Sequence, residues 1–469
     1  MDLTFTPPST VRARVAPETR YLRVLSVCLL GYALFSRSFA YIGVPPLFIG
    51  EVLLAVGVFM ALPTGQLGKV FESWAARLWL TLMVLVLVRT VPYLGTHGLD
   101  GPRDAMLVGY GIYAVIVASL LLAKPERIRV LVERYSTFVV VMLACAWLVF
   151  IVAKQLGEAQ PGLPWAPHVK VVQAKGGDLM VHMTGIVAAL ILGLVRSTPM
   201  RWAMAAFSSG IIMVSNRGGM VAFVLGLGLA WLMRPRGAGV GKFVYAFVVL
   251  IVLGAIIGPM VQVEIQGGSR DLSVEQVVEN VKSIFGRSSN ALDGTKRWRL
   301  LWWTDIVNYT VNGPYFLQGK GFGINLATAD GFEVGETGQS DLRSPHNGHL
   351  TVLARAGVPG FVLWVALHLS WFAAVLGAWA RARRADRRRW QAVFAWVAGF
   401  WVAAMVNASF DVFIEGPMGA IWLWTVIGTG IAAVRLSRTH PGLLDSANIP
   451  LHDHDADARS APRQPFSWH

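Results

Sequence analysis

The chain has 469 residues, 55% of them hydrophobic and 14% charged, and carries a formal net charge of +14. That balance excludes a soluble globular domain. Its basic residues are scattered over short loops rather than massed on one face, which excludes a nucleic-acid-binding surface. Cys28 and Cys145 both sit inside apolar runs, which excludes a disulfide framework and a cysteine metal centre.

Residues 1–20 are polar, hold no cleavable signal pattern and read as a cytoplasmic tail. Apolar runs follow at Leu22–Ala40, Pro46–Leu62, Trp74–Val91, Asp104–Ala123, Ser136–Val152, Met180–Val195, Trp202–Val214, Gly219–Met233 and Phe243–Val261, all within residues 21–261. Three more follow at Val358–Trp379, Gln391–Asn407 and Pro417–Val434, within residues 346–435. A helix needs roughly 20 apolar residues to cross ~30 Å of hydrocarbon. None of the runs shows the period-two alternation of a barrel strand. The expected fold is an all-α polytopic membrane protein of about twelve transmembrane helices. The tail, residues 436–469, is polar and is expected to be flexible and cytoplasmic; its His452–Asp455 run reads as tail rather than metal site.

Alternate loops are basic: Arg12, Arg14 and Arg20; Lys124, Arg127, Arg129 and Arg134; Arg196 and Arg201; Arg234, Arg236 and Lys242; the run from Arg381 to Arg389; and Arg435 with Arg438. With twelve spans all of these fall on one side, which the positive-inside rule makes the cytoplasm, with both termini inside. The opposite side holds one large loop, residues 262–345, far longer than the usual ~4–6 residue connection. Two helices are expected in it. One follows a capping box at Ser273 and Gln276, with Val274, Val277, Val278, Val281, Ile284 and Phe285 as its apolar stripe; the other spans Thr295–Asn312 and is stopped by Gly313-Pro314.

The candidates for chemistry lie on that outer side. Arg217 breaks the positive-inside rule in a glycine-flanked turn, as an anion-binding arginine or a snorkelling one would. Arg297 and Arg299 open the second loop helix and point to different faces; Arg299 shares its face with Trp303, Arg297 with Leu301. His346 ends the loop where the apolar sequence resumes, and a histidine at such a boundary can exchange protons near neutral pH. Asn347, His349, Arg103 and Arg89 are secondary candidates, and Asp104, Lys154, Lys170, Lys175, His168 and His182 stand behind them. Gly319, Gly321 and Gly323 form a tight turn that lacks the strand and helix of a nucleotide site. No metal site is expected, because no Asp, Glu or Cys cluster accompanies the histidines.

His346-Asn347, nine residues, then Gly357-Val358-Pro359-Gly360 resembles the His-Asn-x9-Gly-x-x-Gly signature of bacterial O-antigen ligases. The arginine-bearing stretch before Trp302-Trp303, the Gly-x-Gly-x-Gly run, and Arg217 in its Ser-x-Arg-Gly turn resemble the same superfamily, which also holds O-antigen polymerases and protein O-oligosaccharyltransferases. The resemblance implies a GT-C-like glycosyltransferase with one large helical periplasmic loop in the bacterial inner membrane. It implies O-antigen on undecaprenyl diphosphate as donor and a sugar hydroxyl of lipid A–core as acceptor, with no cofactor, metal or nucleic acid. On this reading His346 is either the general base or a positioning group, and Arg217 with Arg297 or Arg299 clamps the diphosphate. Polymerase and protein-transferase activities are the alternatives within the superfamily, and a lipid or polysaccharide transporter is the non-enzymatic one.

Overall fold

A computed structural model of the protein describes residues 15–213, 216–235, scattered positions between 241 and 248, 290–333 and 342–445. The expected ninth span, the first loop helix with its capping box, and the His452–Asp455 run lie largely or wholly outside them.

The described chain is mostly helical. Its principal helices are α1 (Pro17–Phe35), α2 (Ile49–Ala61), α3 (Trp74–Thr90), α4 (Asp100–Gly109), α5 (Ile112–Ala123), α6 (Arg127–Leu156), α7 (Gly176–Ile191), α8 (Pro199–Met213), α9 (Arg217–Leu232), α10 (Asn290–Val311), α11 (Leu326–Asp330), α12 (Gly348–Arg384), α13 (Arg388–Ala408) and α14 (Pro417–Thr439). Two small antiparallel hairpins interrupt them: β1 (Gly43–Val44) with β2 (Leu47–Phe48), and β3 (Gly162–Leu163) with β4 (Ala166–Lys170).

Among the described residues, six helical stretches are long and apolar enough to cross a membrane: Trp74–His97, Asp100–Ala123, Arg127–Leu156, Gly348–Arg384, Arg388–Ala408 and Pro417–Thr439. Three shorter apolar helices accompany them, Ile49–Thr64, Gly176–Ile191 and Arg217–Leu232. The chain is a helical, polytopic integral membrane protein; these stretches alone do not make up the expected twelve.

Several boundaries differ from the sequence expectation for local reasons. The apolar residues Pro46 to Phe48 belong to a hairpin, not to the second span: Val44 pairs with Leu47 and Gly43 with Phe48, so the helix begins at Ile49. The Asp104–Ala123 run breaks between Gly109 and Ile112. There Trp79 Nε1 donates to the Val108 carbonyl at 3.0 Å, and a Cβ on Gly111 would lie 1.9 Å from that nitrogen. An inserted donor thus replaces a helical one.

The centre of the bundle is α7, every residue of which is buried. It packs against α9 and α13, which themselves meet at Gly226 and Gly399. A Cβ on either glycine would lie within 2.9 Å of the other's carbonyl oxygen, so the two backbones approach as only small residues allow. His182, within α7, is buried among Phe138, Phe400, Phe413 and Trp422 and belongs to this core.

Candidate active site

The His346 segment is fixed from both ends. Asn347 has an extended backbone, and its side-chain oxygen accepts from the His349 and Leu350 amides, both at 3.1 Å, capping α12. On the other side Ser344 and Pro345 are buried, and Trp303 Nε1 donates to the Pro345 carbonyl at 2.8 Å. Between them His346 takes a left-handed backbone, φ 53°, uncommon for a side chain with a Cβ. Its half-buried ring places Nδ1 3.7 Å from Asp411 Oδ1.

Asp411 stands in the short connection between α13 and α14. The same Oδ1 accepts from Lys175 Nζ at 3.3 Å and from the Val412 amide at 2.7 Å. Burial pushes this carboxyl up, but His346, Lys175 and the Val412 amide outweigh burial and hold it below the usual carboxylate range. Burial lowers the Lys175 ammonium, yet Asp411 and Asp178 hold it above the ordinary lysine value. Glu415, one turn further on, goes the other way: burial raises it, against hydrogen bonds from Ser344 and Thr351. Thr351 Oγ1 donates to Glu415 Oε1 at 2.9 Å.

The loop arginines separate cleanly. Arg299 Nη1 donates to the Phe410 carbonyl at 2.9 Å, so its face of α10, shared with Trp303, lies against the Phe410–Asp411 and Pro345–His346 segments. Arg297 is exposed, on the face it shares with the exposed Leu301. Arg217 is the first residue of α9, capped by Asn216, whose Oδ1 accepts from the Gly219 amide at 2.6 Å. The next residue, Gly218, packs on Phe410; a Cβ there would lie 2.8 Å from the Phe410 Cβ. Arg299 and the Arg217 turn therefore meet the same residue, Phe410, next to Asp411.

His346 also lines a cavity of about 640 Å³. Its described lining includes seven Lys and Arg residues against two acids, Asp104 and Glu415, a balance that suits an anion. Part of that charge is committed within the fold. Asp104 Oδ2 takes Arg355 at 2.8 Å, Arg343 at 3.4 Å and the Gly323 amide at 3.0 Å, and Arg343 also reaches Asp100 at 3.2 Å.

The secondary candidates divide. Arg103 lines the cavity with its side chain 60% exposed, 3.7 Å from Asp100. Arg89 lies outside that lining and donates to the Leu317 carbonyl at 3.4 Å, tying α3 to the loop. His349 does not share His346's environment: its Nε2 lies 3.0 Å from the Met405 carbonyl and its Nδ1 accepts from Trp364 Nε1 at 3.1 Å. A carbonyl only accepts, so Nε2 carries the proton and both ring nitrogens are engaged. Asn347 is a helix cap. Gly319 is a packing residue set against the backbone of Arg355–Gly357, and the Gly321 amide donates to the Arg355 carbonyl. Lys320 between them pairs with Asp330, under the rings of Tyr309 and Tyr315.

Residues 202–365 match the family model of O-antigen ligase. The match covers roughly a third of the chain and contains Arg217, Arg297, Arg299, His346, Asn347 and the Gly357–Gly360 pair. This is the family that the histidine signature resembles. No curated protein matches the chain. The matched segment supports a relation to the ligase and polymerase superfamily, whose members are glycosyltransferase-like enzymes. Asp411, Lys175, Glu415 and Arg37, which share the His346 site or its cavity, lie outside the domain match and were not singled out as principal candidates from sequence. One signal was available for the acids: Asp411 and Glu415 are the acidic residues of a short connection between two apolar runs.

Proposed function

We propose that the protein is an O-antigen ligase. It transfers O-antigen from undecaprenyl diphosphate to a sugar hydroxyl of lipid A–core on the periplasmic face of the inner membrane, forming lipopolysaccharide. The observation that carries this reading is His346: it belongs to the ligase signature, lies within the domain match, and stands beside Asp411 on an anion-favouring cavity.

In the proposed step, the acceptor hydroxyl gives its proton to His346 as its oxygen bonds to the anomeric carbon of the donor. The bond from that carbon to the diphosphate oxygen breaks, with inversion, and undecaprenyl diphosphate leaves with the electron pair. The Asp411 carboxylate near Nδ1 favours the imidazolium that forms, as a carboxylate does for a catalytic histidine elsewhere. Arg299, which reaches Phe410, and Arg217, whose neighbour Gly218 packs on it, are assigned to the charge growing on the leaving diphosphate, where a bidentate guanidinium suits phosphate oxygens. Arg297, on the exposed face, is assigned to lipid-linked phosphate at the membrane surface. No cofactor is required by this scheme. Both substrates are lipid-anchored, so confinement to the membrane plane supplies much of their proximity.

The topology that goes with this reading is the expected one: about twelve spans in a GT-C-like arrangement, both termini cytoplasmic, and residues 262–345 forming the periplasmic loop. Deleting the chain in its host should abolish the O-antigen ladder and leave polymerised donor on its lipid carrier. Loss of chain length alone would make it a polymerase, and intact lipopolysaccharide with an under-glycosylated protein would make it a protein transferase. With purified donor and acceptor, His346→Ala should lower transfer by about 10²–10⁴-fold, the range for loss of a general base. Near wild-type transfer at an unchanged protein level sinks the base assignment.

A further inference from the structure

The residues assigned to the donor diphosphate are not among those that line the large cavity beside His346. Arg299 and Gly218, next to Arg217, meet Phe410, and neither Arg217 nor Arg299 is in the cavity lining. The cavity instead takes basic residues from segments outside the family match: Arg37 after α1, Arg103 in α4, Lys154 near the end of α6 and Lys170 in β4. These segments are built together. Ser38 Oγ donates to the Lys170 carbonyl at 2.9 Å, and Trp165 Nε1 donates to the Tyr41 carbonyl at 2.6 Å, docking the β3–β4 hairpin on the turn that carries Arg37. Gln160 joins the same wall, its Oε1 accepting from the Val172 amide at 3.0 Å and its carbonyl from Lys170 Nζ at 3.4 Å.

Inverting displacement puts the nucleophile opposite the leaving group, with the base at the nucleophile. If the diphosphate lies at Phe410, the molecule that enters His346 from the cavity is the acceptor. A cavity lined by this many cations selects an anionic guest, and its low-dielectric walls strengthen the selection. We infer that the Arg37, Arg103, Lys154 and Lys170 wall is a recognition subsite for an anionic group, a phosphate or sugar-acid carboxylate, carried by the acceptor glycolipid near the hydroxyl that reacts. The inference rests on the ligase reading above. It assigns acceptor choice to the part of the chain outside the shared family domain, while the shared domain carries the step common to its members.

The test uses the full chain in detergent–lipid micelles. The double variant Lys154→Gln/Lys170→Gln should raise the acceptor KM about tenfold or more and leave the donor KM unchanged. Acceptor stripped of its phosphates, with its carboxyl groups reduced, should show the same high KM with wild type and variant alike. A raised donor KM with an unchanged acceptor KM would assign the wall to the donor and overturn the inference, as would a variant indistinguishable from wild type. An acceptor KM that follows the phosphatidylglycerol content of the micelle rather than the charge of the acceptor would make the bilayer the anion source and overturn it too. Equilibrium binding of intact and stripped lipid A–core keeps the subsite separate from the reaction. Equal affinity for the two refutes the subsite even where transfer is seen. Absence of transfer alongside charge-dependent binding refutes the ligase reading and leaves the subsite standing.

Discussion

Asp411 and Glu415 lie four residues apart in one short connection, yet their environments push them in opposite directions. Asp411 is raised by burial but pulled lower still by His346, Lys175 and the Val412 amide. A carboxyl held below its unfolded value of about 3.9 adds stability that is present above that pH and lost only as pH falls through the lowered value. Glu415 is raised by burial, so its contribution is complete below about 4.3 and lost as pH rises through the raised value. Two substitutions separate these signs in thermal unfolding in detergent. Glu415→Gln, which mimics the protonated acid, should unfold at a higher temperature than wild type at pH 7 and at the same temperature at pH 4. Asp411→Asn should unfold at a lower temperature at both, and should reduce transfer at least about tenfold by removing the charge beside Nδ1. Sequence marked His346 by its signature, but nothing in the string of residues ties His346 to Asp411 or Lys175. Those contacts join the end of the large loop, the α13–α14 connection and the residue before α7. For Arg297 and Arg299, helical spacing set the two faces correctly; the position of Phe410 decides which face looks toward His346.

At the scale of elements, the Gly-x-x-Gly half of the signature has a mechanical role. Helix α12 is interrupted at Gly357, with φ 68° and ψ −173°, two residues before Pro359. The break leaves carbonyls without helical donors, and the glycine-rich turn supplies them: the Lys320 amide donates to Ala354 at 2.7 Å and the Gly321 amide to Arg355 at 3.0 Å. In return the Val358 amide donates to the Phe316 carbonyl at 2.8 Å. The exchange needs close backbone approach. A Cβ on Gly357 would lie 2.6 Å from the Phe316 oxygen, and one on Gly319 would lie 2.5 Å from the Arg355 oxygen. Gly357→Ala should therefore destabilise the protein by more than ~1 kcal/mol, through both the left-handed φ and the collision. Hydrogen exchange at residues 316–321 should rise with it; unchanged protection there would separate the break from the docking of the loop. The turn reads in sequence as glycine-rich and not as a nucleotide site, which agrees with its packing role. Its partner, the broken helix α12, is evident only in three dimensions because both strands of the exchange are irregular backbone.

At the scale of the whole molecule, the proposed orientation predicts which ends of the bundle face which compartment. In a background with Cys28 and Cys145 replaced by Ser, Asn312→Cys should react with a membrane-impermeant maleimide in intact spheroplasts, and Arg384→Cys only after permeabilisation. The reverse pattern would invert the topology. The membrane class was set by sequence alone, because the transfer of each apolar run into lipid is a property of that run and does not depend on its neighbours. The same holds for the signature around His346, whereas Asn347, a secondary candidate for chemistry in sequence, proves in the structure to cap α12. What the tertiary structure decided is convergence. Close packing of α7, α9 and α13 brings the Arg217 turn to Phe410, while the connection that follows α13 brings Asp411 to Lys175 and His346. The docked hairpin and the turn after α1 close the cavity with cations from the first half of the chain. Hydropathy sorts residues into segments, whereas the site arises where the ends of several segments meet. That meeting depends on side-chain volumes and backbone breaks spread over the whole bundle.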